Sequence, residues 1–132
     1  MVRHISKTDE EWKKHLTPEQ YKVCRRKGTE LPFSGEYVNS KYKGIYRCVC
    51  CGNELFSSDD KFDSGTGWPS FTQSIRDENV EKQPDLSHGM HRTEVMCSKC
   101  GAHLGHVFDD RPNPTGNRYC INSIALMLDR KS

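Results

Sequence analysis

The chain has 132 residues, of which 33% are hydrophobic, and its 20 basic and 18 acidic side chains leave a formal net charge of +2. This size predicts one domain over residues 1–132, with a core thin enough to gain from a structural metal. The balanced charge argues against a nucleic acid or an anionic membrane surface as the partner. No stretch approaches the roughly 18 apolar residues of a membrane span, and residues 1–10 lack the apolar core of a secretory signal, so a cytoplasmic location is expected.

The first third of the chain is polar and predicts two short helices. Ser6 or Thr8 can cap the first helix. Thr17 and Gln20 form a capping box for the second helix, with a proline at its first position. Gly28 is the predicted end of that helix.

From residue 44 onward, short apolar runs alternate with glycine, proline, asparagine and aspartate turns, which is typical of strands. We predict strands over residues 45–49, 54–56, 80–83, 93–96, 105–108 and 118–128. No helical periodicity returns in this part of the chain. The expected fold class is therefore mainly β and mostly antiparallel, with the N-terminal helices packed on the strands.

Two short motifs with the same spacing predict a metal site. Cys48 and Cys51 form one C-x-x-C pair, Cys97 and Cys100 form another, and glycine follows each pair. This is the spacing of zinc knuckles, and four thiolates suit a tetrahedral Zn²⁺ that is structural because no ligand position stays open. Iron in a four-cysteine site and redox-active C-x-x-C pairs are the alternatives. We interpret Cys50 as a small residue within the first knuckle turn.

Cys120 lies outside both knuckles and is a candidate nucleophile. Alternation in a strand places Arg118, Cys120 and Asn122 on one face, with Tyr119 and Ile121 toward the core. An arginine beside a thiol is expected to lower the pKa of that thiol, and Asn122 can donate a hydrogen bond to a substrate oxygen. The alternative is a buried structural thiol, the usual fate of a free cysteine.

His103 and His106 precede the candidate nucleophile and are three positions apart, so alternation alone would place them on opposite faces. A bulge at Gly105 would bring both imidazoles to one site. Asp109 or Asp110 could then orient one imidazole and fix its tautomer. The alternatives are polar residues without a catalytic role and spare metal ligands, of which the second is weak because four cysteines already complete a zinc site. A zinc-stapled binding module would not need a thiol, an arginine and two histidines together, so the combination favours an enzyme.

Five groups of residues in a fixed order carry a resemblance to a known family. They are Gly-Thr-Glu with Pro-Phe-Ser-Gly at 28–35, the two knuckles, Gly-Trp-Pro-Ser-Phe at 67–71, His-Leu-Gly-His-Val-Phe at 103–108 and Arg-Tyr-Cys-Ile-Asn-Ser at 118–123. On these motifs the chain closely resembles the methionine-R-sulfoxide reductases of type B, over roughly residues 19–128. These enzymes return one epimer of methionine sulfoxide to methionine.

The resemblance implies two antiparallel, barrel-like sheets with N-terminal helices, and a zinc that lies apart from the active site. It also implies roles for individual side chains. Cys120 matches the catalytic cysteine. The matching residues of the active site around it are His103, His106, Asp110, Arg118 and Asn122, and the expected substrate contacts are Trp68 and Phe108.

The implied reaction begins with attack of the Cys120 thiolate on the sulfoxide sulfur, while His106, assisted by His103, protonates the departing oxygen. Methionine leaves and Cys120 becomes a sulfenic acid. A second thiol condenses with it to a disulfide, which thioredoxin reduces by exchange. The expected substrates are free methionine-R-sulfoxide and oxidised peptides or proteins, so the expected role is repair after oxidative damage, by a monomer.

The chain departs from the family pattern at Thr66. Many members carry the resolving cysteine at this position, two before the tryptophan of the Gly-Trp-Pro-Ser-Phe motif, and threonine cannot form a disulfide. Cys24 is the best substitute, because it lies outside the knuckles and shares a helical face with Tyr21 that is expected to dock on the domain. The alternatives are a buried helix cysteine without this role, resolution by Cys50, and direct attack of the reductant on the sulfenic acid.

Overall fold

Two short helices begin the part of the chain that the structure describes. The structure is a computed structural model, and it describes residues 8–86, 89, 91–109 and 116–130. Helix α1 spans Asp9–His15 and helix α2 spans Pro18–Arg26. No helix within these ranges is long and apolar enough to cross a membrane.

Reciprocal caps begin both helices. The side chain of Thr8 accepts from the backbone of Glu11 while Glu11 accepts from the backbone of Thr8, and Thr17 and Gln20 are paired in the same way. Such a capping box satisfies two backbone N–H groups that a helix start otherwise leaves open. The predicted box at Thr17 is therefore confirmed. The other predicted cap, Ser6, lies outside the described residues.

Helix α2 ends at Arg26, two residues before the glycine that predicts its stop. The left-handed C-cap is Lys27, with φ of 58°, and the N–H of Gly28 then bonds back to the last helical turn. In that turn, the guanidinium of Arg25 lies 4.4 Å from the centre of the Trp12 ring and donates to the carbonyl of Cys100 at 3.1 Å. These contacts dock both helices beside the second knuckle.

The rest of the described chain forms two antiparallel sheets, which confirms the predicted fold class. The strands are β1 Gly44–Cys48, β2 Glu54–Ser57, β3 Lys61–Phe62, β4 Ser70–Phe71, β5 Val80–Asp85, β6 Arg92–Cys97, β7 His103–Phe108, β8 Arg118–Ile121 and β9 Leu126–Arg130. The smaller sheet has the order β2-β1-β9, and the larger sheet has the order β3-β4-β8-β7-β6-β5. All of their described pairings are antiparallel.

The long strand predicted over residues 118–128 is in fact two strands in different sheets. β8 ends at Ile121, a 3-10 turn covers Ser123–Ala125, and β9 continues in the smaller sheet. The bend is fixed at Asn122, whose backbone N–H and side-chain amide both donate to the carbonyl of Leu104, at 2.9 and 3.0 Å. β3 and β4 are absent from the prediction because two-residue strands are too short to show alternation.

Aromatic side chains from both sheets form much of the core. Phe71 stacks on Phe56 with ring centres 4.5 Å apart and meets Tyr46 edge-on at 5.2 Å. Tyr119 and Ile121 are 2% and 0% exposed, so the predicted inward face of β8 is confirmed. Loss of a buried phenylalanine typically costs about 3–5 kcal/mol. This packing therefore fixes β8, whose opposite face carries the candidate nucleophile.

Candidate active site and metal centre

The four knuckle cysteines converge although their two motifs are far apart in the sequence. Their sulfur atoms all lie within 4.8 Å of one another, with 3.7 Å between Cys48 and Cys100 and 3.5 Å between Cys51 and Cys97. A tetrahedral zinc with Zn–S bonds of about 2.3 Å needs sulfur atoms roughly 3.8 Å apart. The donor set therefore fits a closed four-sulfur metal site.

Each knuckle turn depends on the glycine that follows it. Gly52 has φ of 80° and its N–H donates to the carbonyl of Cys48 at 2.8 Å, while Gly101 has φ of 79° and donates to Cys97 at the same distance. Residues that carry a side chain rarely adopt this left-handed backbone conformation, whereas glycine adopts it without steric cost. The repeat in the sequence is therefore also a repeat in backbone geometry.

Four thiols this close cannot all ionise unless a cation compensates their charge. Hydrogen bonding with Cys100 raises the pKa of Cys48 and Cys51 well above the usual range, whereas the hydrogen bond from Cys48 lowers the pKa of Cys100. A coordinated metal ion stabilises the deprotonated form of every thiol that it binds. The chemistry of the donor set thus agrees with its geometry.

Cys24 and Cys50 lie beside this cluster. Both side chains are buried, with exposures of 2% and 4%, and hydrogen bonds with Cys100 and Cys24 raise the pKa of Cys50. Cys50 thus occupies the knuckle turn as a small buried residue, as the sequence predicts. Neither thiol is among the described residues that line the cavity around Cys120.

Cys120 is near the middle of the larger sheet. β8 lies between β4 and β7, so Cys120 is directly opposite Ser70 on one neighbour and His106 on the other. Arg118 is opposite Phe108, and its guanidinium lies 4.4 Å from the centre of that ring. Because opposite residues of antiparallel strands share a face, the thiol, the imidazole, the guanidinium and the phenyl ring gather on one side of the sheet.

These side chains line an open cavity of about 300 Å³. The sequence-predicted residues in its wall are Trp68, His106, Phe108, Arg118, Cys120 and Asn122. A larger cavity, of about 440 Å³, shares Thr29 with this one but has no thiol or imidazole among the described residues that line it. The smaller cavity is therefore the candidate active site.

Burial raises the pKa of the Cys120 thiol above its usual value. The hydroxyl of Thr66, 3.6 Å from the sulfur, the charge and hydrogen bonding of Arg118, and the hydroxyl of Ser70 oppose this effect without overcoming it. Arg118 thus lowers the pKa of the thiol, as expected from the sequence, but the net pKa of Cys120 is still raised. The reason is that desolvation of the thiolate outweighs the attraction of the guanidinium.

The predicted bulge is present in β7, at Leu104 beside Gly105, and it brings the rings of His103 and His106 into contact, although only His106 is among the described residues that line the cavity. Two consecutive residues of β6 pair with His103 and Gly105, so Leu104 is the extra residue. The two imidazole ring centres are 5.6 Å apart. Gly105 is required at this point, because a β-carbon there would collide with the carbonyl of Cys120.

His103 is 4% exposed and is not among the described residues of the cavity wall. Its Nδ1 lies 2.7 Å from the carboxylate of Glu94. Burial lowers the pKa of His103 more than Glu94 raises it. The pKa of Glu94 is also low, because hydrogen bonds from Gln83 and His103 outweigh the effect of its burial. The pair is thus a neutral imidazole that donates its Nδ1–H to a carboxylate.

His106 lines the cavity, and Asp85 fixes its orientation. The Nε2 of His106 is 2.7 Å from Oδ2 of Asp85, which also accepts from Arg92 at 3.3 Å. A carboxylate at Nε2 favours the tautomer with its proton there. Among the described residues, the carboxylate that orients His106 is Asp85 and not Asp109. Asp109 is exposed, and Asp110 lies outside the described residues, so its predicted role stays a prediction.

Sequence reasoning missed the carboxylates Asp85 and Glu94 and the guanidinium of Arg92. They lie on β5 and β6, two strands that the motifs around Cys120 do not include. One signal was available for Glu94, which directly precedes the apolar part of a predicted strand. A carboxylate at a buried strand position needs a hydrogen-bonding partner, and a histidine on the neighbouring strand is a suitable one.

The fold and the site together define a class of protein, a β domain with a four-cysteine cluster that could hold a metal ion and with a separate cavity lined by a thiol. Comparison with known families agrees with this class, because the model of the SelR domain family matches residues 16–130. The chain belongs to this family, whose curated members carry the name peptide methionine sulfoxide reductase MsrB. The resemblance stated from the motifs is thereby confirmed, and with it the oxidoreductase class.

Several relatives of this name match nearly the whole chain. The protein of Leptospira interrogans is 58% identical over 131 residues, which cover 99% of this chain and 100% of the relative. The protein of Methanosarcina barkeri is 62% identical over 122 residues, or 92% of this chain and 86% of the relative. The protein of Pseudomonas fluorescens is 60% identical over 127 residues, or 96% of this chain and 98% of the relative.

Proposed function

We propose that the protein reduces methionine-R-sulfoxide, free or within oxidised peptides and proteins, to methionine, and so repairs oxidative damage. The observation that carries this proposal is the position of the Cys120 thiol in an open cavity with His106, Trp68 and Phe108 in its wall. A methyl sulfoxide needs a nucleophile at its sulfur, an acid at its oxygen and an apolar surface for its methyl group. The cavity offers all three, and the name of the relatives agrees.

In the proposed first step, the Cys120 thiolate attacks the sulfoxide sulfur. The net change turns one thiol and one sulfoxide into one sulfenic acid and one thioether, so the substrate gains two electrons and Cys120 loses two. The sulfoxide oxygen leaves its sulfur readily only after protonation. His106 is the acid that we propose, because it lies directly opposite Cys120 and lines the cavity, and because the Asp85 carboxylate at 2.7 Å orients its ring.

The remaining predicted residues support this chemistry in different ways. We propose that Trp68 and Phe108 contact the S-methyl group, and that Arg118 stabilises the thiolate as it forms. The amide of Asn122 accepts from the N–H of Glu30 at 3.0 Å and donates to a backbone carbonyl at 3.0 Å. Its main contribution is therefore to fix the end of β8 at the cavity wall.

We propose different roles for the two histidines. Burial lowers the pKa of His103, so little of this imidazole is protonated at neutral pH, and its Nδ1 lies 2.7 Å from the carboxylate of Glu94. With ring centres 5.6 Å apart, it packs against His106 and fixes the position of the proton donor. His103 thus assists through His106, without contact with the substrate.

We propose zinc as the ion of the four-cysteine site. Cys48 is on β1 of the smaller sheet and Cys97 is on β6 of the larger sheet, so a bound ion would cross-link the two sheets. None of the four cysteines is among the described residues that line the Cys120 cavity. The role of the metal is therefore structural.

For recycling, we propose thioredoxin as the reductant and Cys24 as the candidate resolving thiol. A thiol and the Cys120 sulfenic acid condense to a disulfide and water. Cys24 is buried beside Cys50, so this route requires α2 to leave its place against β7 and the 123–125 turn. Direct attack of an external thiol on Cys120 needs no such movement, since the cavity is open.

Peptide mapping of enzyme treated with excess sulfoxide and no reductant separates the two routes. A Cys24–Cys120 crosslink, together with loss of thioredoxin turnover in Cys24→Ser, supports Cys24 as the resolving thiol. Normal thioredoxin turnover of Cys24→Ser, with Cys120 left as the sulfenic acid, contradicts it.

Steady-state turnover of a blocked methionine sulfoxide with dithiothreitol tests the proposed function. The wild-type protein is expected to reduce the R epimer and to leave the S epimer unchanged. Cys120→Ser is expected to lose all activity while its fold and metal content stay intact. Cys24→Ser is the matched control, because dithiothreitol bypasses the resolving thiol. Equal turnover of the two epimers, or residual activity in Cys120→Ser, would contradict the proposal.

A further inference from the structure

We infer that Glu30 is a positioning residue that fixes both Trp68 and the end of β8, and so sets the shape of the cavity in which Cys120 reacts. This inference rests on the proposed function, because it assigns Trp68 to the substrate. Glu30 is outside the described lining of that cavity. Glu30 therefore acts through its neighbours. Its side chain and its backbone each make hydrogen bonds that support this inference.

The carboxylate of Glu30 caps the turn that follows β8. Its Oε2 accepts from the N–H of Ser123 and its Oε1 accepts from the N–H of Ile124, each at 2.9 Å. These N–H groups belong to the first residues of a 3-10 turn, where helical partners do not exist. Both bonds are charge-assisted, which makes them roughly twice as strong as bonds between neutral groups. The turn is thus tied to Glu30 by two strong hydrogen bonds.

The backbone of Glu30 bonds to two side chains of the cavity wall. Its N–H donates to Oδ1 of Asn122 at 3.0 Å, and its carbonyl accepts from the indole N–H of Trp68 at 3.1 Å. Asn122 and Trp68 both line the cavity, as does Thr29, which precedes Glu30. One residue therefore connects three parts of the wall that are distant in the sequence. We call these four hydrogen bonds the Glu30 clamp.

The glycine at position 35 leaves room for the Glu30 clamp. A β-carbon at this position would collide with the side chain of Ser123 and with the carboxylate of Glu30. The loop that follows Glu30 can therefore pass close to the clamp only because residue 35 is glycine. This close approach is an observation independent of the hydrogen bonds, and it shows that the loop is built around the carboxylate.

Loss of the carboxylate is expected to loosen the clamp without disturbing the nucleophile. Of the four hydrogen bonds of the Glu30 clamp, only the two backbone bonds to Asn122 and Trp68 would then remain, so the Trp68 ring would be held less firmly. Cys120 is fixed independently, by the pairing of β8 with β4 and β7. We therefore expect kcat/KM for the sulfoxide to fall while the reactivity of the Cys120 thiol stays normal.

Kinetics of three variants test this signature with dithiothreitol as reductant. Glu30→Ala is expected to lower kcat/KM for the blocked R-sulfoxide at least about tenfold, because two bonds to a charged group are lost. Glu30→Gln keeps one acceptor oxygen and is expected to lose about threefold. The rate at which iodoacetamide alkylates Cys120 should stay within about twofold of the wild-type rate in both Glu30→Ala and Glu30→Gln. Glu36→Ala is the matched control, since Glu36 is exposed and, like Glu30, lines the larger cavity of about 440 Å³.

A spectroscopic readout tests the clamp without reference to activity. The chain has two tryptophans, so the indole N–H cross-peak of Trp12 serves as an internal reference for that of Trp68. In Glu30→Ala the Trp68 cross-peak is expected to move upfield as its hydrogen bond weakens, with a smaller movement in Glu30→Gln. The Trp12 cross-peak should stay in place in both variants and in Glu36→Ala.

The outcomes separate the clamp from the proposed function. A Trp68 cross-peak that stays in place in Glu30→Ala overturns the inference, whether or not kcat/KM falls. An equal fall of kcat/KM in Glu36→Ala also overturns it. If the wild-type protein has no reductase activity, the proposed function fails, and the Trp68 cross-peak still decides whether the clamp exists. If Glu30→Ala does not fold, Glu30→Gln decides, and an unmoved cross-peak with unchanged kcat/KM overturns the inference.

Discussion

Replacement of Thr66 by valine should slow the reaction of Cys120 with an alkylating agent. The substitution keeps the size of the side chain and removes the hydroxyl that lies 3.6 Å from the Cys120 sulfur. A hydroxyl that donates to a thiolate forms a hydrogen bond to a charged group, which is worth about 1.5–3 kcal/mol. The distance is long, so we take the lower figure, which corresponds to about tenfold. The thiolate fraction at neutral pH should therefore fall about tenfold.

The pH dependence of alkylation gives the sign of this effect. Burial raises the pKa of Cys120, so the thiolate is the minor form at pH 7 and the alkylation rate increases as the pH rises through that pKa. Removal of the Thr66 hydroxyl raises the pKa further, so the profile of Thr66→Val should move to higher pH and reach the same plateau. The rate at Cys120 is followed with iodoacetamide and peptide mapping, which separates this thiol from the other six cysteines.

Thr66→Ser is the matched control, because it keeps the hydroxyl and loses only a methyl group. Its profile should coincide with that of the wild type. An unchanged profile in Thr66→Val would show that the hydroxyl does not stabilise the thiolate. An equal displacement in Thr66→Ser would show that packing, and not hydrogen bonding, sets the pKa. Either result would refute the reasoning.

Three further substitutions test other parts of the account. Asp85→Asn should lower the single-turnover rate by up to about 10²-fold, because it removes the carboxylate that orients the ring of His106; an unchanged rate with an unchanged pH profile would remove His106 as the acid. Gly105→Ala should lower the free energy of unfolding, measured in urea, by about 1–3 kcal/mol, since its β-carbon meets the Cys120 carbonyl; wild-type stability would contradict this close approach. Cys97→Ser should lose its zinc and unfold, because structural zinc contributes on the order of 10 kcal/mol; elemental analysis and circular dichroism would contradict this if they found folded protein without metal.

Local patterns predicted the parts of the fold that depend on neighbours in the sequence. The capping box at Thr17, the knuckle turns and the inward face of Tyr119 each follow from a short motif or from alternation, and the structure has them. The bulge beside Gly105 was also predictable, because two histidines three positions apart can share a face only if the strand gains a residue.

Contacts between distant strands explain what the sequence did not predict. Continuous alternation over residues 118–128 suggests one strand, yet the bonds of Asn122 to Leu104 on β7 end β8 early. Asp85 binds His106 from β5, a strand that no motif links to the histidines. The pKa of Cys120 depends on how deeply the folded chain buries the thiol, and a neighbouring arginine in the sequence says nothing about that depth.

One measurement tests the central claim most directly, a single turnover without reductant. The protein is mixed with excess blocked methionine-R-sulfoxide, and the methionine product and the mass of the Cys120 peptide are followed together. We expect one methionine per chain, with a gain of one oxygen atom at Cys120 or the matching loss of two hydrogens where a second thiol condenses with it. Methionine formation while every cysteine keeps its reduced mass, or no methionine at all from folded, metal-loaded protein, would contradict the account.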